Sequence, residues 1–420
     1  MIFLLIFIGG CFERNSSTKK EMEERFEGFK KVITNAGSIP EIIPEKSLTK
    51  ITIPDDSHGH KINIDEMLDS VFYVKLETTD SCLIGKIDKL LFHSNKILVV
   101  ENDRRLSILL FSTDGKFISK IGRLGQGPGE YVSIRDVAID HINKNVVVLD
   151  ASGKKLLYYD MNGDFLKEQR LFYYPTSLAV LNDGSILFAQ YRNVNSHIPS
   201  VVDNMLLFSE NSNLTITGKT LSFTYRDKFK NIDLQSHDNF NVTASTVLFN
   251  QYFNDTIYEI KSSNKITAKY VIDMGDKNIT SVFNAATTKD DFAAIVNANK
   301  HYHFKGLALE TDDYFYCNIN SFHSCYYSKR KEKVLYYGGG FITAAYGIND
   351  AKLRKYIRMG YPMTTFNNYF VSVISSESIE QDKNYNMQAI IKSKYRPDVE
   401  AIMSETKSDD NPVLFFYSLK

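Results

Sequence analysis

The segment ILVVEND, Ile97 to Asp103, is followed by LLFSTDGKFISKI, Leu109 to Ile121, and the pair returns as VVVLDAS, Val146 to Ser152, with LLYYDMNGDFLKEQRL, Leu156 to Leu171. Each copy reads as an apolar strand, an acidic turn, a second apolar strand, an Asp-Gly or Asn-Gly hairpin and a third, more polar strand. The hairpin glycines Gly115 and Gly163 stand 48 residues apart, and Ile97 and Val146 stand 49 apart. SILFAQY (Ser185 to Tyr191) with MLLFSENSNLTI (Met205 to Ile216) continues the series, and fainter copies follow in STVLFNQYFNDTIYEIKSSNKITAKYV, DDYFYCNINSFHSCYYSKRKEKVLYYGG and NYFVSVISS with the terminal NPVLFFYSLK.

A period near 50 built from short strands and glycine hairpins is that of a propeller blade, whose antiparallel strands cover both faces only by packing on neighbouring blades. Residues 62–420 hold six such units. The expected fold is therefore all-β, a six-bladed propeller with two short helical insertions, TKDDFAAIVNANK and NDAKLRKYIRMG. Two β-sandwiches would also yield many short strands but would require no common period. An open ring would leave pairing edges exposed, so SVFYVKLET (Ser70 to Thr78) and NPVLFFYSLK (Asn411 to Lys420) are expected to share one blade and seal the ring.

The chain of 420 residues carries 50 basic and 50 acidic side chains, and this balance provides no field to attract nucleic acid. Its 28 Phe and 25 Tyr are interleaved with Val, Ile and Thr, a composition suited to pleated surfaces. The first eleven residues, MIFLLIFIGGC, are too short to span a bilayer and have the apolar core of a secretory signal. Ile8-Gly9-Gly10-Cys11 resembles a bacterial lipobox, with Cys11 as the lipidated residue, although no Lys or Arg precedes the apolar core. Residues 12–61 are polar and Pro-punctuated and read as a tether, with folding proper starting near Ile62.

The glycine-rich IGRLGQGPGEY, Ile121 to Tyr131, is not a phosphate cradle. Counted from Gly125, Glu130 occupies the sixth position of a dinucleotide turn, and Pro128-Gly129 stand where a P-loop needs Lys and Ser or Thr. It reads as the crossing from one blade to the next, its glycines permitting positive φ. Arg123, Gln126, Glu130 and Tyr131 are the candidate ligand-binding residues on this loop, placed near the mouth of the central channel, with pairing of Arg123 to Glu130 as the purely structural alternative.

Together these pieces resemble the six-bladed β-propeller lipoproteins of Bacteroidetes, relatives of the NHL-repeat propellers. YVKLETTDSCLIGKIDKL, LFSTDGKFISKIGRLGQGPGEY, FNDTIYEI and DDNPVLFFYSLK carry the likeness over residues 62–420. The resemblance implies a lipid-anchored protein of the cell envelope, facing the periplasm or in the outer membrane, and implies no particular activity.

No catalytic residue and no metal site can be assigned. The His-x-His pairs His58/His60 and His301/His303 have ligand spacing but no identifiable further ligands, and no twelve-position calcium loop is present. There is no nucleophile elbow, and neighbours such as Asp312 and Asp313 point to opposite faces of a strand. Cys317 and Cys325 flank NINSFHS and are candidates for a hairpin disulfide, leaving Cys82 free. The expected function is a monomeric binding or scaffold module for a protein or an oligomeric ligand, without cofactor or nucleic acid. The alternative is a lyase or hydrolase working in the central channel, with or without a divalent cation, for which the sequence offers no ligand set. The first predicts an axis lined by aromatic, Arg or backbone groups, and the second predicts three or more His, Asp or Glu converging there.

Overall fold

The computed structural model describes residues 19–33, 39–54, 67–103, 105–191, 194–223, 240–243, 246–250, 254–279, 300–319, 323–339, 361–380 and 404–420, with a few isolated positions between 282 and 295 and at 401–402. Six sheets of four or five strands follow one another around an axis, each a meander from an inner to an outer strand. The inner strands of blades 1 to 6 are Lys89–His93, Asp136–Asp140, Ser177–Val180, Phe240–Val242, Phe304–Glu310 and Pro362–Phe366. The expected all-β six-bladed propeller is the observed fold. The insertion NDAKLRKYIRMG lies outside the described residues, as does most of TKDDFAAIVNANK.

The apolar runs of the repeat are explained by strand geometry. Side chains along a strand alternate between faces, and both faces of a blade meet another blade. In blade 1, Ile97, Val99, Leu109 and Phe111 join the core shared with blade 6, whereas Leu98, Val100, Ile108 and Leu110 join the core shared with blade 2. Blade 2 divides in the same way. Val146, Val148, Leu157 and Tyr159 face blade 1, and Val147, Leu149, Leu156 and Tyr158 face blade 3. The described core accordingly falls into six clusters, one at each inter-blade interface. Fully burying each such Val, Leu or Ile contributes roughly 1.5–3 kcal/mol, so the blades are held mainly by their neighbours.

The acidic residue that ends the second strand of a repeat is structural. Glu101 is buried and accepts the N–H groups of Gly85 (2.7 Å) and Lys86 (3.2 Å) and the Ser107 hydroxyl (2.6 Å). Asp150, 49 positions later, accepts Val132 N–H (2.9 Å), Ser133 N–H (3.1 Å) and Gly153 N–H (2.8 Å). Both carboxylates pin the segment that feeds the inner strand of their own blade. In the hairpin of blade 1, Gly115 has φ 84°, and a Cβ there would stand 2.1 Å from the Lys75 carbonyl oxygen, so only glycine fits.

Closure follows the expected pairing. Blade 6 takes three strands from the end of the chain, Pro362–Phe366, Tyr369–Ile374 and Val413–Leu419, and its outer strand, Leu68–Lys75, from near the start. Val71 pairs with Tyr417, Phe72 with Phe416 and Tyr73 with Phe415.

The reading of residues 12–61 as a tether needs correction where they are described. A helix, Lys19–Arg25, and a 3-10 turn, Phe29–Val32, bury Met22, Phe26 and Val32, and Val32 and Ile39 belong to the core shared by blades 2 and 3. Ile42 N–H then donates to Lys219 C=O (2.8 Å) on the outer strand of blade 3. Glu45–Thr52 next adds a fifth strand to blade 4, parallel to Lys265–Asp273. The segment is poor in apolar residues, but its backbone covers sheet edges that would otherwise be open to other chains. The folded body thus begins well before residue 62.

His197 fastens this belt. Its buried ring stacks on Phe26 (centroids 5.4 Å, 12°) and meets the edge of Phe29 (5.0 Å). Its Nε2–H donates to Phe172 C=O (3.0 Å), leaving Nδ1 without a partner. Burial pushes the His197 pKa below the usual histidine value, and the Phe172 carbonyl and Glu23 offset this only in part. The unfolded histidine takes its proton near pH 6.5 and the folded one at lower pH, so the belt contribution is complete above about 6.5 and declines as pH falls toward the folded pKa. The hydrogen-exchange protection of residues 19–33, taken relative to the intrinsic rate at each pH, is expected to fall on acidification below about pH 6.5, with His197→Phe flattening that dependence.

Candidate functional site

The inner strands enclose a central cavity of about 1010 Å³, at the upper end of the range for ligand pockets. It opens on the face where each inner strand turns into its second strand, since Ser94, His141, Asn182, Thr243, Asp312 and Asn367 all border it. Its lining mixes hydroxyl and amide side chains with apolar residues of the inner strands and with charged ones, and Phe92 and Phe366 stack in the wall between blades 1 and 6 (4.6 Å, 26°).

A charged network crosses the wall between blades 4 and 5. Lys269 bridges Glu259 (2.6 Å) and Glu310 (2.8 Å), Lys329 also reaches Glu310 (2.8 Å), Lys261 reaches Glu259 (3.0 Å), and the Tyr270 hydroxyl donates to Glu310 (2.6 Å). Burial opposes ionisation of both carboxyls, but the lysines outweigh it and hold each pKa below the ordinary value. Burial likewise opposes the charge of Lys269, and Glu310 and Glu259 more than compensate. Neither carboxyl therefore has the raised pKa of a general acid. Among the described residues no three His, Cys, Asp or Glu side chains gather as a metal cluster.

Two histidines do meet. His93 and His141, each just beyond or at the end of an inner strand, place their Nδ1 atoms 3.0 Å apart at the cavity edge. Sequence reasoning passed over them, yet a signal was present: HSNK (93–96) and HINK (141–144) recur at the 48-residue period, and that period puts equivalent positions on adjacent blades.

The residues named from the sequence lie elsewhere. Arg123 Nε donates to Glu130 (2.6 Å), Gly127 N–H donates to the same carboxylate (2.9 Å), and Arg123–Leu124 pairs in parallel with Glu130–Tyr131. The Gly127 N–H, followed by Arg123, lowers the Glu130 pKa. Tyr131 is buried in the core between blades 1 and 2, and burial raises its pKa. Gln126 is exposed. None of the four lines the cavity, because the loop folds back on its own Glu130 and on Tyr159, whose hydroxyl donates to Gly129 C=O (2.9 Å). Gly122, at φ 62°, is required here, since a Cβ would come within 2.5 Å of that hydroxyl.

Cys317 and Cys325 are directly opposite on adjacent strands of blade 5, in the register the sequence suggested. Both are fully buried and carry free thiols in this structure, and burial, followed by the neighbouring Cys325, raises the Cys317 pKa. Cys82 is also free, its thiol donating to Glu77 C=O (3.1 Å). His301 and His303 flank Tyr302, whose backbone pairs with Asn278, while Cys11, His58 and His60 lie outside the described residues. Asp312 borders the cavity, and Asp313 pairs instead with Arg330 (3.2 Å), so this acidic doublet is no convergent pair.

Fold and cavity together define a six-bladed β-propeller with a polar central funnel. Residues 48–418 match the domain of unknown function DUF4934, and the chain belongs to that family. None of the curated proteins matches it. Among solved structures it is similar to a "putative exported protein" of Bacteroides fragilis, with 17% identity and a TM-score of 0.69 over 89% of this chain and 100% of that one. More distant are a member of the duf4221 family from Bacteroides vulgatus (10% identity, TM-score 0.43, 87% and 98% covered) and BamB from Moraxella catarrhalis (10%, 0.35, 64% and 64%). The first likeness supports the fold, and the other two add nothing to it.

Proposed function

We propose that this propeller is a lipid-anchored envelope protein of the Bacteroidetes, NHL-like type, and that it binds an oligomeric ligand or an extended protein segment in its central funnel. The observation that carries the reading is the funnel wall: amide and hydroxyl side chains beside apolar ones, one stacked aromatic pair, and a lysine–glutamate network whose charges neutralise one another. Such a wall suits an uncharged polar chain, which trades its water for amide and hydroxyl partners and lays apolar faces on Phe92 and Phe366. The location rests on the Cys11 lipobox and on the exported description of the Bacteroides fragilis structure. No helix among the described residues is long and apolar enough to cross a membrane. If Cys11 carries lipid, residues 12–18 are all that separate it from the docked helix, about 25 Å at full extension. The funnel would then work close to the bilayer surface.

The test uses the chain expressed with its own leader in a bacterial host. It is expected to sediment with membranes, and Cys11→Ala is expected to release it. The released protein is then titrated with a panel of neutral oligosaccharides and unstructured peptides. Thr365→Arg, which narrows the funnel, is expected to weaken the best binder at least about tenfold, as a truncated or blocked hot spot does. Arg123→Ala, in the loop away from the cavity, should change nothing. Binding unaffected by Thr365→Arg would remove the funnel from consideration.

A further inference from the structure

The repeat places one imidazole at the same point of two successive blades, and ring geometry brings them together. His93 ends the inner strand of blade 1, and His141 follows that of blade 2. Their rings lie 5.1 Å apart at 37°, with the two Nδ1 atoms at 3.0 Å. One Nδ1–H donates to the other Nδ1, which requires that the accepting ring have no proton on that nitrogen. Two imidazole nitrogens this close at the edge of the cavity can act together as ligands once the shared proton has left Nδ1.

We propose that His93 and His141 form a two-imidazole site for a divalent late first-row metal ion, whose remaining positions open into the funnel. The bite selects the ion. With metal–nitrogen bonds of about 2.0–2.1 Å, nitrogens 3.0 Å apart subtend about 95° at the metal. That angle matches the square-planar or tetragonal preference of Cu²⁺ and Ni²⁺, while tetrahedral Zn²⁺ would need the nitrogens to separate to about 3.3 Å. On binding, the donor ring changes tautomer, its proton leaving Nδ1 for its own Nε2, so that both rings present a bare Nδ1 to the ion and carry one proton each on Nε2. The exposed ammonium of Lys144 repels the bound cation, whereas the ammonium of Lys96 is held by the Met161 carbonyl and Asn162. The proposal does not depend on what the funnel binds.

The test is calorimetric titration of the full chain in detergent with Ni²⁺ alone. One saturable site is expected, weakened at least about tenfold by His93→Ala or by His141→Ala. Lys144→Gln is expected to strengthen binding about two- to fivefold, the size of an exposed charge interaction. A merely structural histidine pair would not respond in that direction. His58→Ala with His60→Ala serves as the control for the other pair and should leave the site intact. Absence of saturable binding, retention of full affinity in both single variants, or loss only in the control would each overturn the proposal.

Discussion

Asp136→Ala is expected to destabilise the protein by about 3–5 kcal/mol, the loss that follows when one partner of a buried ion pair is removed and the other is left charged. Asp136 opens the inner strand of blade 2 and is buried, its side chain 4% exposed. One oxygen accepts Lys89 Nζ at 2.6 Å, from the first residue of the inner strand of blade 1. The other accepts the Leu178 N–H at 2.9 Å, from the inner strand of blade 3. A single carboxylate therefore ties three successive blades near the axis, and alanine leaves a lysine ammonium with only 14% of its side chain exposed and no counter-ion in this pair. The Asp136→Leu, Lys89→Met double variant should recover most of the loss, because it removes both charges. It should not recover all of it, since Leu178 N–H still lacks an acceptor, at a cost of about 1–3 kcal/mol. Urea unfolding followed by circular dichroism reads both effects, the chain having no Trp to report by fluorescence. A cost below about 1 kcal/mol for Asp136→Ala would mean that the pair is solvated and weak.

The propeller was legible because it repeats a local pattern. ILVVEND and VVVLDAS announce strands covered on both faces, Gly115 and Gly163 mark equal hairpins, and the terminal segments lack any other partner. Residues whose roles depend on blade-to-blade geometry were harder to find. Of the lysines that neutralise Glu310, Lys329 comes from a turn of the same blade and Lys269 from a strand of the preceding one, so that the full network exists only once the blades pack. The Gly-Gln-Gly-Pro-Gly-Glu-Tyr loop was legible in its structural reading, since Arg123 and Glu130 pair and close the crossing on itself, whereas its place relative to the cavity depends on the ring. The belt was missed because its attachment is largely through backbone to sheet edges, as at Ile42 with Lys219 and Glu45–Thr52 with Lys265–Asp273. Hydrogen bonds of that kind leave little imprint on composition. His93 and His141 could have been found by extending the repeat search from apolar to polar positions.

Closure makes the second large prediction. Phe416→Ala is expected to cost about 3–5 kcal/mol, as buried Phe-to-Ala changes do, and to open the ring at one known seam. Phe416 is 2% exposed and stacks on Phe72, its direct cross-strand partner from the other end of the chain (4.5 Å, 8°). Its edge contacts reach Phe92 in blade 1 (5.9 Å) and Phe366 in the inner strand of blade 6 (6.4 Å). Elsewhere in the ring, blade contacts are reinforced by chain connectivity, but Leu68–Lys75 is held in blade 6 by non-covalent contacts across the seam: the strand ladder, packing, Ser70 with Ser418 (2.8 Å) and Lys75 with Asp410 (2.8 Å). The deficit should therefore localise. Amides of Leu68–Lys75 and Val413–Leu419 are expected to lose hydrogen-exchange protection before those of blades 2 and 3, and the freed edges should promote self-association. Ile142→Ala, at a side chain 53% exposed in the blade 2 turn, is the matched control and should stay within about 0.5 kcal/mol of the parent. If Phe416→Ala instead lowers protection equally in all six blades, the ring unfolds as one cooperative unit and the seam is no weaker than any other interface.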